Sequence, residues 1–171
     1  MSASSAYVEP WLRGTYKDVS APGRAVVHAL ELALDDLAKW TSGLTAAEIH
    51  SSPLGLTPVA YHLKHIARSV DRILSYAEGK ELSREQLESL KGEGVGLETL
   101  AGLMAEVESS LKNAAGRVRA LAEGDLDAPR AVGRKRLPTS VGGAMIHVAD
   151  HTMRHVGQVV STAKVLRALR G

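Results

Sequence analysis

The chain has 171 residues, enough for one domain that buries its own core without a covalent staple. It contains no cysteine, which excludes disulfides, thiolate ligands and a cysteine nucleophile, and no phenylalanine, which leaves the core to Leu, Val, Ile and Ala. A net charge of +2 is too small to imply nucleic acid, and no stretch reaches the roughly 18 apolar residues of a membrane span.

Residues 1–20 read as an N-terminal arm, with Trp11 and Tyr16 as anchors that could reach a partner subunit. The arm shows no basic segment followed by an apolar run, so a cytoplasmic location is expected. Ser20, with Pro22 in the first turn, opens a helix that runs to about Trp40 through Val26, Val27, Leu30, Leu34 and Leu37. A connection follows, with one helical turn after Thr45. Thr57-Pro58 opens a second long helix, stopped by Gly79. Its apolar face is Val59, Leu63, Ile66, Val70, Ile73, Leu74 and Ala77.

Residues 83–91 suit a short polar helix, broken by the GEGVG run that follows. A third long helix spans about Leu97 to Ala122. Residues 124–138 read as a loop with a hairpin about Val132-Gly133, and Thr139 or Ser140 caps a last helix that reaches about Arg170. Four long amphipathic helices in residues 21–171 predict an all-α, antiparallel four-helix bundle.

The last helix carries His147, His151 and His155 in IHVADHTMRHVGQ. Residues i and i+4 lie one above the other on a helix, so two such imidazoles can converge on one metal ion. At 100° per residue, His155 lies about 50° from the centre of the apolar stripe, His151 about 90° and His147 about 130°. His151 and His155 are therefore the better pair. On the second helix, His62 lies about 60° from the stripe centre and His65 about 120°, so periodicity favours His62 as the inward residue.

HTMRHVGQ, together with the HLKHIARSVDRIL segment of the second helix, resembles the DinB/YfiT-like superfamily of four-helix-bundle metalloproteins. The resemblance covers about residues 21–170. It implies a divalent metal, zinc or nickel above all, held by one histidine of the second helix and two of the last. The family's second-helix ligand directly precedes an apolar-Ala pair, here Ile66-Ala67, which maps it onto His65. The implied ligand set is His65, His151 and His155, with His62, His147 and Gln158 as candidate groups behind the ligands.

Three neutral imidazoles leave a tetrahedral ion one open position, the pattern of catalytic sites. The resemblance implies a metal-dependent S-transferase that uses a low-molecular-weight thiol on a small-molecule substrate, in a homodimer. The alternative is a non-catalytic, metal-stabilised helical bundle with a binding or stress-response role. Asp71 and Asp150 are further candidates for orienting the ligand rings.

Arg130, Arg134, Lys135 and Arg136 cluster before the last helix, either as an anion clamp over the site or as a solvated loop. No aromatic interleaves these charges, so they do not suggest nucleic acid. Lys64, Arg68 and Arg72 read as a solvated basic face, and His28 and His50 as ordinary surface or helix-face histidines.

Overall fold

The computed structural model describes residues 7–94 and 96–170. Six α-helices and one two-stranded hairpin follow in the order α1 (Ala21–Thr41), α2 (Ala46–His50), α3 (Val59–Ala77), α4 (Arg84–Lys91), α5 (Leu100–Leu121), β1 (Pro129–Val132), β2 (Leu137–Ser140) and α6 (Val141–Leu169). The start signals are local. Thr45 and Ser83 each form a reciprocal capping box, with Glu48 and Gln86. Thr99 and Ser140 accept the backbone N–H of Gly102 and Gly143. Ser20 sits at the N-cap of α1, but its side chain makes no capping bond, and Pro22 marks the start.

The four long helices pack as a ring in which α1 and α3 each contact both α5 and α6. Their apolar stripes meet in one core that includes Leu30, Leu37, Leu63, Ile66, Leu74, Leu103, Leu111, Met145 and Val148. The hairpin forms as the Val132-Gly133 signal predicts: Val132 pairs with Leu137, and Gly133 turns the chain at a φ of 70°. Arg130 Nε donates to the carbonyl of Ala77 at 2.7 Å, which seats the hairpin on the C-terminal end of α3. Among the described residues, no helix is long and apolar enough to cross a membrane.

The first six residues of the expected arm lie outside the described residues. From Tyr7 onward the arm lies along α1 of its own chain. Tyr7 Oη and Arg13 both donate to Asp35, and Tyr16 Oη donates to Glu31. Trp11 is 61% exposed, and among the described residues its ring nitrogen bonds its neighbour Glu9 rather than a helix. His28, read as a surface or helix-face residue, is buried under the arm with Thr15 Oγ1 at 3.0 Å.

The basic face of α3 is the larger correction. Lys64 is 2% exposed and Arg72 7%, where the sequence predicted a solvated stripe. Ser89 and Glu93 on one side of position 95 and Glu98 on the other cover these side chains. Lys64 pairs with Glu98 at 2.8 Å and Arg72 with Glu93 at 2.7 Å, while Arg68 reaches the Ser89 carbonyl and Glu106 of α5. Helical periodicity weighs only one helix against an assumed interior; it carries no information about a loop folding across the outer face.

Candidate metal centre

His65 stands two turns into α3, and His151 and His155 stand one turn apart in the middle of α6. Because α3 and α6 pack directly, their histidines meet. One ring nitrogen from each of His65, His151 and His155 lies within 4.8 Å of the others. His65 Nε2 is 3.2 Å from His151 Nε2. A tetrahedral ion with metal–nitrogen bonds of 2.0–2.1 Å sets its ligand nitrogens about 3.3 Å apart, so this spacing fits one.

The remote nitrogens are also provided for. His65 Nδ1 faces Glu93 Oε2 at 2.7 Å; a carboxylate accepts, so Nδ1 carries the proton and Nε2 presents a lone pair. Ser69 Oγ donates to the Ile66 carbonyl and lies 3.4 Å from His151 Nδ1, which leaves Ser69 to accept from that ring. His155 Nδ1 is 3.1 Å from His62 Nδ1, and one of these nitrogens must donate to the other. With His155 as donor, its Nε2 is free to ligate. Two Nε2 lone pairs facing each other at 3.2 Å repel unless a cation or a proton lies between them.

Burial reinforces neutrality. It lowers the His151 pKa to about 4, aided by His155, His65, His147 and Arg154. The same desolvation, with His155 and His65 nearby, lowers His62 to about 4. Burial also lowers His155, against a hydrogen bond with Gln158 that favours its charged form. Neutral imidazole is the metal-binding form, so these rings need not lose a proton near neutral pH to ligate.

His62 is 3% exposed, as periodicity predicted, yet it stands behind His155, while His65 faces His151. Both residues can join the cluster because neighbouring faces of α3 converge on α6. Tyr61 stacks on His65, with ring centroids 5.6 Å apart and planes within 7°. Gln158, one turn from His155 on α6, is exposed.

Other candidates fall elsewhere. His147 is half-exposed, 3.6 Å from Asp150, and touches the cluster only through its ring contact with His151. Asp150 pairs with Arg154, and Asp71 with Arg117 and Gln86; neither orients a cluster ring. Arg134, Lys135 and Arg136 sit at the hairpin, so they do not form a clamp over the histidines. The hairpin is bound to Ala77, about 18 Å along α3 from His65 at 1.5 Å per residue.

Glu93 is the functional residue that sequence reasoning missed. It lies in the glycine-rich run read only as a helix breaker, yet it is 4% exposed and joins His65 to Arg72. A lone acid between glycines was the available signal, and nothing local says that the loop turns inward.

The model of the DinB superfamily matches residues 29–159, which include all four clustered histidines and Gln158. The chain belongs to the DinB superfamily. No curated protein matches it. Superfamily membership and the three-histidine cluster agree with the ligand set mapped by resemblance: both are compatible with a divalent metal at this position.

Proposed function

We propose that the protein is a metal-dependent enzyme with His65, His151 and His155 as ligands, and that it transfers a low-molecular-weight thiol to a small electrophilic substrate. The observation that carries the metal reading is the pair of Nε2 atoms 3.2 Å apart, each with its opposite nitrogen engaged. When bound, zinc or nickel would supply Lewis acidity that favours thiolate or hydroxide near neutral pH.

Within this reading, Glu93 holds the His65 ring in the tautomer that exposes Nε2, and the ion pair with Arg72 fixes the carboxylate in place. His62 does the same for His155 without adding charge. Tyr61 restricts the His65 ring by stacking. Three protein donors leave one position for a substrate, which supports an enzyme. The thiol itself comes from the family resemblance alone. We also read the ring of helices as an antiparallel four-helix bundle that works as a cytoplasmic homodimer.

A second reading, in which the metal only pins α3 to α6, is favoured by His62, a fourth buried imidazole beside His155. Elemental analysis of untagged protein, beside His65→Ala and His151→Ala, tests the site. Near-stoichiometric metal in the wild type, lost in both variants, is expected. Turnover of bacillithiol or mycothiol with an electrophile by metal-loaded protein then separates the enzyme from the pinned bundle. Metal retained by His65→Ala would show that the α3 ligand is misassigned.

A further inference from the structure

A cleft of about 670 Å³ opens at the other end of α3, between the helix end, α4 and the hairpin. Pockets of this size suit small organic ligands. Its apolar lining comes from Tyr76, Leu82, Leu87, Pro129 and Ala131. The same lining includes four cations, Lys80, Arg130, Arg134 and Arg136, and one acid, Glu81.

The cations differ in how they are held. Arg130 Nε and Nη1 donate to the carbonyls of Ala77 and Pro129, so its guanidinium is fixed before any ligand arrives. Gly79, at a φ of 76°, lies beside it, and an added Cβ would only reach ordinary contact with Arg130 Nε at 3.6 Å. Lys80 is neutralised by Glu78 at 2.9 Å. Arg134 and Arg136 have no ion pair or side-chain hydrogen bond among the described residues. Arg136 also holds a φ of 49°, the left-handed region that side chains with a Cβ avoid. Its backbone N–H donates to the Gly133 carbonyl at 3.0 Å, which closes the hairpin turn.

We propose that this cleft is a second binding site, for a small amphipathic organic anion. Its apolar body lies against Tyr76, Leu82 and Leu87, and its carboxylate or similar head group meets Arg134, Arg136 and the fixed Arg130. Arginine suits this role because its planar donors pair with carboxylates in a bidentate manner. The site is separate from the histidines and does not rest on their binding metal.

The test is an amide NMR titration of the full chain with octanoate, in parallel with octylammonium and octanol. Octanoate is expected to shift the amides of residues 79–87 and 130–136 saturably, more tightly at low salt. Octylammonium should not. Arg134→Glu with Arg136→Glu should weaken octanoate at least tenfold, Leu87→Asp should weaken it by a similar factor, and His151→Ala should leave it unchanged. Absence of saturable shifts, equal binding of octylammonium, shifts centred on the histidines, or full affinity in the double arginine variant would each overturn the proposal.

Discussion

Two polar stripes share α3 and differ in what balances them. The histidine stripe, His62, His65 and Ser69, faces α6, where burial keeps the rings of His62, His151 and His155 towards their neutral forms. The cationic stripe, Lys64, Arg68 and Arg72, is neutralised by acids brought from elsewhere: Glu98, Glu106 and Glu93. One stripe is a set of nitrogen donors held near neutral by burial; the other is a set of cations paired with acids. Glu93 joins them, with one oxygen on His65 and the other on Arg72. A buried ion pair costs desolvation and seldom adds net stability, so its use here is better understood as fixing the His65 ring in the histidine cluster.

Removing a ligand has the largest expected effect. His65→Ala or His151→Ala should reduce bound metal from near one per chain to near zero, read by elemental analysis after dialysis. His62→Ala should keep the metal, because His62 stands behind His155 rather than among the converging nitrogens. Loss of metal in that variant would make His62 a ligand.

Glu93→Gln breaks the link between the stripes. It keeps the shape but removes the charge that orients His65, and metal affinity should fall about 10- to 100-fold in competition with a chromophoric chelator. It also leaves Arg72 buried without its counter-charge, at a cost of roughly 3 kcal/mol in denaturant unfolding. Glu98→Gln is the control: it loosens the same segment at Lys64 but touches no cluster histidine, and affinity should hold. Equal loss in both variants would assign the effect to the loop rather than to ring orientation.

Acid probes the histidines first. His62 and His151 titrate near 4 in the folded chain, below an ordinary histidine at 6.5. The unfolded chain therefore binds more protons between these values. The stability of the metal-free protein should hold above pH 6.5, decline as pH falls towards about 4 and level off below, as far as these two groups are concerned. Denaturant midpoints at pH 7.5, 5.5 and 4 measure this; replacing both residues with Gln should flatten that part of the profile. The smallest effect belongs to Arg68→Ala. Its pair with Glu106 is partly open to solvent, and unfolding should change by less than about 1 kcal/mol.

Much of the fold was legible from local chemistry. The caps at Thr45 and Ser140, the stop at Gly79 and the turn at Gly133 act through the backbone of adjacent residues, so they can be read without knowing what packs where. The i, i+4 spacing of His151 and His155 is of the same kind. For His62 and His65 the sequence offered two conflicting arguments, periodicity for one and family mapping for the other. The structure keeps both residues, one buried behind the cluster and one within it. The anion clamp was misplaced because nearness in sequence to α6 does not place the hairpin near His151. Its direction is set by Arg130 reaching Ala77.

By itself, then, the sequence determined which segments are helical, where most of them begin (the third long helix, expected from about Leu97, starts at Leu100 behind Thr99), and which histidines of α6 share a face, because those properties depend on neighbours within one or two turns. Only the tertiary structure decided that Glu93 stands behind His65, that Lys64 and Arg72 are buried, and that the arginines of the hairpin line a cleft of their own. Each of these depends on the path of a loop across another element. That path is set by long-range pairing of charges and by the burial of surfaces far apart in the chain, which no local pattern encodes.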